Sequence, residues 1–548
     1  MDRTLLAWLD DPEPRRGIRF ARRGEEWEFW GYDRLARLAY RTAAALVEGG
    51  VRGGDVIVVV RRSGPGFVGT FFGTLLAGAT PCPAAPPVAF GDPAGYHAHL
   101  SGLLGAVRPA LVLTEPDLVA EIGAIAAAAG GCPVRSADDL LSGVAEDSRP
   151  PGRRPAELAL IQFTSGSSGR ARGVRVPRAA LEANLTAIST WLRHTPDDPT
   201  ATWLPIHHDM GLIGTFLTPV VNTADVWQLT AEEFVHRPLR YLRCFGEGGA
   251  RLSAMPAFGL HHILRRVRPD DLAGLDFGRW RAVIVGAERI DADALDRFAA
   301  LLGPHGLPRR ALCPAYGLAE ATLLVTGVGL DEPWRAAEVD PTGLSVGARV
   351  EPGDTRVVGC GPAIGGVEVS VVDDEGTALP DGHVGEVVVR GASVSPGYLG
   401  GAADTGAAAL TELTGGVLYS GDAGFLDRGQ LFVLGRLGDA IKIRGKALFA
   451  EDVEAVLAGH GVPTHRFAVA LGFHDGAPTA VVVAEEAPGG PLTAAVGAVR
   501  GRLGDARLVV IRVPRGTIPR TSSGKPRRRR LWSAFADGSL APMSGATT

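Results

Sequence analysis

Short apolar runs separated by helix-like patterns fill the first two-thirds of the chain. Residues 55–60 are typical of a buried strand, and a helix is predicted from about Phe67 to Ala77. Further strand-like runs lie at 110–113, 158–163 and 281–285, each followed by Thr, Ser or Gly within a few residues. Strands that alternate with helices predict parallel sheets covered on both faces, with ligands held at the carboxyl ends of the strands.

The pattern changes after Tyr316. In the runs 367–372 and 384–389, which flank a predicted turn, apolar residues recur with a period of two. A further strand-like run, 431–434, is the last of this region. This periodicity predicts an antiparallel, β-rich subdomain. Two glycines in Gly435–Asp439 then indicate a hinge, and the remainder contains a helix from about Glu451 to Ala458 and further strand-like runs.

The predicted fold class is therefore α/β with α+β. A large N-terminal core of stacked, mostly parallel sheets flanked by helices carries the β-rich subdomain, and a small, mobile C-terminal α+β lid follows. At least two domains are expected, because 548 residues exceed what one hydrophobic core usually organises. We place the core at 1–435, the hinge at 436–439, the lid at 440–535 and a flexible tail at 536–548.

Composition is typical of a globular enzyme, with 46% apolar and 21% charged residues. The five cysteines are far apart and form no close pair, which favours a reduced, cytoplasmic compartment. The first residues do not resemble a signal peptide, and without a run of eighteen apolar residues no membrane span is predicted.

Lysine is rare in this arginine-rich chain and occurs only at Lys442, Lys446 and Lys525. Chance in a GC-rich genome is one explanation. However, Lys525 lies in the loop Pro519–Lys525, where a compact ammonium on a thin stem can enter a narrow site between two reacting groups. We therefore expect chemistry at an anion.

The C-terminal part is basic: from residue 440 onward we count fifteen Lys and Arg against eight Asp and Glu, although the whole chain has a net charge of −4. Such a surface suits phosphate-bearing substrates or an acidic protein. The run Arg527–Arg530 is equally compatible with docking an acidic protein partner and with a solvated face. Nucleic-acid binding is not expected, because no basic surface interleaved with aromatic residues accompanies this run.

A Ser/Thr/Gly loop follows the strand-like run 158–163 and ends near Arg170 and Arg172. Small residues let backbone N–H groups approach phosphate oxygens, and the arginines add positive charge. A Ser/Gly loop alone is usually a linker, and this one is not a Walker loop, because no Gly-Lys-Ser/Thr follows.

Two carboxylates could each have either a ligand-binding role or a purely structural one. Glu320, four residues after Tyr316, could hold Mg²⁺ or be a solvated glutamate at a helix start. Asp422 could accept both hydroxyls of a ribose or merely form a turn.

Taken in order, these motifs resemble those of the adenylate-forming superfamily, which includes acyl-CoA synthetases, luciferases and peptide-synthetase adenylation domains. The sequences of Leu204–Gly214 and Ala315–Thr322 are most similar to those of fatty acyl-AMP ligases. Those enzymes also carry an insertion like the one at about 327–357. The motifs that carry the resemblance are Thr164–Gly169, Leu204–Gly214, Gly286–Glu288, Tyr316–Glu320, Ser420–Asp422, Gly435–Asp439 and Pro519–Lys525.

The resemblance implies a role for each matching residue. Glu320 would bind Mg²⁺, Lys525 would bridge the substrate carboxylate and the α-phosphate of ATP, and His208 would line the carboxylate site. Arg172 stands where the family usually has a phosphate-loop lysine. The residues expected to bind ATP are Thr164, Ser165, Gly166, Ser167, Ser168, Gly169, Gly286, Ala287, Glu288, Tyr316, Gly317, Asp422, Arg436 and Lys525. The residues expected to line the acid site are His208, Met210, Gly211, Leu212, Met255, Pro256 and Phe258.

The implied activity is ATP-dependent conversion of a fatty or other lipophilic acid to acyl-AMP, followed by transfer to an acyl carrier protein or a synthetase carrier domain. The insertion would favour the carrier by limiting movement of the lid. Lys442 occupies the position where CoA-forming relatives have a second-step lysine, so an acyl-CoA ligase is the alternative. Gly438 stands where related ligases tend to have lysine, which would loosen the hinge.

Overall fold

The computed structural model describes residues 4–87, 93–150, 152, 156–164, 172–340, 344–400, 411–443, 446–474, 477–485, 489–503, 506–520 and 525–540. The predicted tail therefore lies mostly outside the described residues. Among the helices within these ranges, none is long and apolar enough to cross a membrane. All five cysteines are free thiols.

An eight-stranded sheet forms the centre of the core, in the order β14-β13-β12-β11-β9-β10-β1-β2. Its inner strands are parallel, and antiparallel strands close both edges. The strands are β1 (Gly17–Ala21), β2 (Trp27–Gly31), β9 (Thr200–Thr202), β10 (Val226–Gln228), β11 (Leu252–Pro256), β12 (Ala282–Gly286), β13 (Leu312–Gly317) and β14 (Leu324–Gly327). Two large hydrophobic clusters pack against it, so the predicted mostly parallel, covered sheet is confirmed.

A second, all-parallel sheet has the order β4-β3-β5-β6. It comprises β3 (Val56–Val60), β4 (Thr80–Pro83), β5 (Leu111–Thr114) and β6 (Val134–Ser136). The helices of the core are α1 (Tyr32–Glu48), α2 (Pro65–Leu76), α3 (Pro93–Val107), α4 (Val119–Ala128), α5 (Ala137–Leu141), α6 (Arg178–Trp191), α7 (Thr218–Val221), α8 (Ala231–His236), α9 (Pro238–Gly246), α10 (Ala257–Arg266) and α11 (Ala292–Leu302).

One strand has the predicted bounds but not the predicted orientation. Strand β7 (Leu158–Phe163) pairs antiparallel with β8 (Gly173–Pro177) in a sheet of two strands. The expectation of a parallel strand here was wrong, because a parallel connection needs a dozen or more residues and usually a helix. Only residues 164–172 separate the two strands.

The β-rich subdomain is antiparallel, as its period of two predicts. It contains β17 (Val367–Val372), β18 (Gly385–Gly391), β19 (Glu412–Thr414), β20 (Val417–Asp427) and β21 (Gln430–Arg436). In the predicted insertion, β15 (Ala336–Val339) and β16 (Thr355–Val358) form an antiparallel pair.

A short 3₁₀ helix, Leu437–Asp439, follows β21 at the predicted hinge. The segment beyond it has the predicted α+β composition, with two hydrophobic clusters of its own. Its elements are β22 (Ala440–Ile443), β23 (Lys446–Phe449), α12 (Ala450–Gly459), β24 (Phe467–His474), β25 (Ala477–Glu485), α13 (Gly489–Leu503), β26 (Arg507–Val513) and α14 (Arg528–Ala536). We refer to residues 440–536 as the lid; the exact domain limits stay a prediction.

Candidate active site

The two ends of the Ser/Thr/Gly loop are joined directly. The N–H of Thr164 donates to the carbonyl of Arg172 at 3.0 Å, and the N–H of Arg172 is 3.4 Å from Thr164 Oγ1. Thr164 follows the last residue of β7 and Arg172 precedes β8, so the hairpin fixes both positions. Ser165, Gly166, Ser167, Ser168 and Gly169 lie outside the described residues, and their phosphate-binding role stays a prediction.

Glu320 is buried beside Arg172, with a 5% exposed surface. Its Oε1 accepts a hydrogen bond from the hydroxyl of Tyr398 at 2.7 Å and lies 3.8 Å from Arg172 Nη2. The Arg172 guanidinium is 4.0 Å from the centre of the Tyr398 ring, a cation–π arrangement. Burial, followed by the charge of Glu320, raises the pKa of Tyr398.

Tyr398 was missed by the sequence analysis. It lies 78 positions from Glu320, and no spacing or motif links the two.

Asp422 is held by two partners from different strands. Its Oδ2 accepts a hydrogen bond from the hydroxyl of Tyr316 at 2.7 Å, and its Oδ1 lies 2.8 Å from Arg436 Nε. Asp422 on β20 faces Arg436 on β21 in the antiparallel register, which explains their proximity. Burial and then Asp422 raise the pKa of Tyr316, while Asp422 raises that of Arg436 despite burial. The structure thus brings together three residues that the sequence assigned to ATP.

The region 286–288 lies at the carboxyl end of β12, next to β13. A Cβ atom on Gly286 would lie 2.7 Å from the carbonyl oxygen of Ala315, and one on Gly317 would lie 1.9 Å from that of Leu323, so both positions require glycine. Ala287 has a φ of +66°. Burial raises the pKa of Glu288, and the positive charges of Lys525 and Arg520 oppose this shift.

His208 lies in a tightly folded segment just before a π-helix, Met210–Leu217. Its N–H donates to Pro205 O at 3.1 Å, and its carbonyl accepts from Leu212 N at 2.7 Å. Burial, with smaller effects of the charges of Lys525 and His99, lowers the pKa of His208 to about 4. The imidazole is therefore neutral near pH 7. The neighbouring carboxyl of Asp209 has a pKa raised by burial.

The residues expected to line the acid site divide between two hydrophobic clusters. Met210, Met255 and Phe258 pack in or against the second cluster, together with Trp203. Leu212 is fully buried in the first cluster. Pro256 is half-buried at the end of β11, and Gly211 is buried where a Cβ would come within 2.1 Å of Pro205 O. The assignment of all these residues to the acid stays a prediction.

Lys525 is a half-buried residue of the lid. Its positive charge acts to lower the pKa values of His208, Asp209 and Glu288, which belong to two different segments of the core, and at Asp209 and Glu288 it opposes the larger rise caused by burial. Arg520 of the same loop donates to His465 O at 3.1 Å, and Arg265 Nη1 of the core lies 2.8 Å from His465 Nδ1.

The arginine run at 527–530 is not a uniform basic face. Arg528 is surrounded by three carboxylates, with Asp439 at 3.3 Å, Glu451 at 2.9 Å and Glu454 at 2.7 Å. Of the four arginines only Arg530 is exposed. The expectation of a wholly solvated or docking surface is therefore wrong for Arg528, whose guanidinium is paired with carboxylates of the lid and of the predicted hinge.

Comparison with known proteins identifies the family of this chain. The AMP-binding enzyme family matches residues 11–399. A Caulobacter vibrioides protein provisionally named an acyl-CoA synthetase is 30% identical over 545 residues, which cover 95% of this chain and 92% of the relative. The medium-chain-fatty-acid–acyl-carrier-protein ligase JamA of Moorena producens is 28% identical over 557 residues, with 96% and 93% covered.

A solved structure from a study of fatty acyl-adenylate ligases from E. coli and L. pneumophila has a TM-score of 0.86 to this chain. It is 28% identical, and the match covers 98% of both chains. The fold and the site define an adenylate-forming enzyme. The chain belongs to the family of AMP-binding enzymes, and the predicted resemblance to fatty acyl-AMP ligases is confirmed.

Proposed function

We propose that this enzyme activates a fatty or other lipophilic carboxylic acid and transfers it to a carrier protein. In the first step a carboxylate oxygen forms a bond to the α-phosphorus of ATP while the bond to pyrophosphate breaks. In the second step the phosphopantetheine thiol of the carrier bonds to the acyl carbon, AMP leaves, and the thiol proton goes to solvent.

The electrostatic effect of Lys525 on three residues of the core is the observation that carries this proposal. Carboxylate and ATP are both anions, so their repulsion is part of the barrier to the first step. An ammonium whose charge acts on His208, Asp209 and Glu288 can stabilise the charge that develops between carboxylate and ATP. Neutral His208 can donate a hydrogen bond to the acid without adding a titrating charge near pH 7.

Glu320 fits the role of a protein ligand to Mg²⁺. Within the described ranges no group of three or more His, Cys, Asp or Glu side chains could hold a metal ion, but Mg²⁺ commonly binds through one or two carboxylates together with substrate phosphates. When bound, it would neutralise charge on the phosphate oxygens. Tyr398 and Arg172 orient the Glu320 carboxylate for this purpose.

Packing of the insertion supports the carrier protein as acceptor. Val339, Leu344 and Val357 share one hydrophobic cluster with Phe449 of the lid and Leu434 of β21. Since Phe449 is only 1% exposed, rotation of the lid would have to expose it, at a cost of about 2–3 kcal/mol. A restrained lid favours delivery to a docked carrier over repeated capture of free CoA.

Transfer to CoA is the second candidate. Lys442 lies in β22, just after the hinge, at the position that the resemblance assigns to a second-step lysine. The Caulobacter relative is provisionally named for the same activity.

Pyrophosphate exchange over a panel of acids tests the first step and identifies the acid. Labelled acyl-AMP is then offered to CoA or to a phosphopantetheine-bearing carrier protein. Acylation of the carrier alone supports the proposal. If the enzyme forms acyl-CoA, and Lys442→Ala loses this activity but keeps pyrophosphate exchange, the CoA ligase replaces the proposed carrier-protein ligase.

A further inference from the structure

Gln162 links the strand that enters the phosphate loop to the segment that carries His208. It is the penultimate residue of β7, two positions before Thr164. Its side-chain Nε2 donates a hydrogen bond to the carbonyl of His207 at 2.9 Å and a longer one, at 3.3 Å, to the carbonyl of the next residue, Phe163. Through this one amide, the backbone next to the expected carboxylate site is tied to the strand that holds Thr164.

Stability alone does not explain a glutamine at this position. The residue is 1% exposed, and its Oε1 has no hydrogen-bond partner among the described residues. A buried polar atom without a partner costs about 1–3 kcal/mol, and an apolar residue of the same shape would avoid this cost. Of the two carbonyls that Nε2 contacts, that of Phe163 belongs to the same strand, so the bond to His207 is the one that joins separate segments.

The segment that Gln162 holds is itself stiff. The hydrogen bonds from His208 N to Pro205 O and from Leu212 N to His208 O close it, and Gly211 packs directly on Pro205. Because the segment is internally fixed, one external bond to its backbone can set where the whole unit lies relative to β7.

We propose that Gln162 is a positioning residue, which sets the distance between the acid at His208 and the phosphates at the Thr164 loop. This inference rests on the proposed function. Displacing one reactant by about 1 Å can reduce the rate by about 10²-fold even when both reactants still bind. Loss of the Gln162 bond should therefore reduce kcat much more than it changes either affinity.

Gln228 provides a matched control. It is also a buried glutamine at the end of a strand, 3% exposed, with Oε1 unpartnered within the described part of the chain. Its Nε2 donates to a backbone carbonyl, that of Leu229, at 2.8 Å. The acceptor differs: Leu229 follows β10 and belongs to none of the motifs described above.

The test compares Gln162→Leu with Gln228→Leu in acid-dependent pyrophosphate exchange, with thermal unfolding of each. We expect Gln162→Leu to lose about 10- to 100-fold in kcat with KM for ATP and acid within about threefold. Gln228→Leu should keep kcat within about twofold of the wild type, whatever its melting temperature.

A third variant, Gln162→Glu, separates positioning from stability. A buried carboxyl has a raised pKa, and only its protonated form can donate to His207 O. The ratio of the kcat of Gln162→Glu to that of the wild type should therefore rise as the pH falls. The inference is overturned if the two leucine variants lose kcat equally, or if Gln162→Glu follows the wild-type pH profile. If the wild-type enzyme shows no acid-dependent exchange, it is the proposed function that fails.

Discussion

Arg289 of the core and Asp452 of the lid form an ion pair at 2.5 Å, in which the aspartate is only 2% exposed. Arg289 lies three residues beyond the last residue of β12, and its Nη1 is also 3.4 Å from Leu434 O of β21. Asp452 lies in the first turn of α12. One buried contact therefore connects the lid to two strands that border the proposed nucleotide site.

Asp452→Asn should weaken lid docking. Removing Asp452 leaves the buried charge of Arg289 without its direct ion-pair partner, and breaking a buried pair in this way typically costs about 3–5 kcal/mol. We expect pyrophosphate exchange to fall at least tenfold and proteolysis near the hinge to accelerate. Asp293→Asn, which removes a 75% exposed partner of Arg356, is the control and should change neither. Equal behaviour of the two variants would contradict a role for the buried pair.

Lys525→Ala should reduce acyl-AMP formation by about 10²–10³-fold while ATP still binds, because one well-placed charge at the developing transition state is lost. Lys525→Arg should not restore the rate, since a planar guanidinium cannot replace a compact ammonium. Both are measured by pyrophosphate exchange and calorimetric ATP titration. Arg530→Ala, at an exposed position of α14, is the control. A fully active Lys525→Arg enzyme would refute the assigned geometry.

Tyr398→Phe should raise the Mg²⁺ concentration needed for half-maximal activity by about 3- to 10-fold, the effect of about 1 kcal/mol from one hydrogen bond. The phenylalanine ring can still stack on Arg172, so only the bond to Glu320 is removed. Tyr40→Phe is a matched control, because Tyr40 stacks on Arg149 at 4.2 Å and donates to Leu9 O. An unchanged Mg²⁺ dependence in Tyr398→Phe would argue against Glu320 as the ligand.

Glu451 should make the stability of the lid depend on pH. Burial, together with the nearby charges of Glu454 and Asp439, raises its pKa to about 7, although Arg528 opposes the shift. A carboxyl with a raised pKa contributes stability below the pKa of the unfolded chain, and this contribution is lost as the pH rises through the folded-state value. The free energy of unfolding should therefore fall by up to about 3 kcal/mol between roughly pH 4.5 and pH 7.

Glu451→Gln removes the titrating group. The melting temperature of the variant minus that of the wild type should therefore increase as the pH rises through this window and level off above it. Parallel melting curves of the two proteins from pH 5 to pH 8 would show that Glu451 does not titrate there.

The pattern of apolar residues predicted several elements, including β7 and β17 with their observed bounds, because each pattern reflects only which faces of a segment are buried. It could not give the partner of β7, which depends on where the chain turns back. Likewise, the composition of the run at 527–530 showed that it is basic. It could not show that the side chain of Arg528 lies among three carboxylates.

By itself the sequence determined the fold class, the elements with a clear apolar pattern and the residue types of the proposed site, since these depend on local spacing and on motifs contiguous in the chain. Tertiary structure decided which of those residues meet. Tyr398 reaches Glu320, Gln162 reaches His207, and burial keeps His208 neutral. Hydrogen bonds and desolvation act over a few ångströms in space, and positions far apart in the chain acquire such neighbours only when it folds.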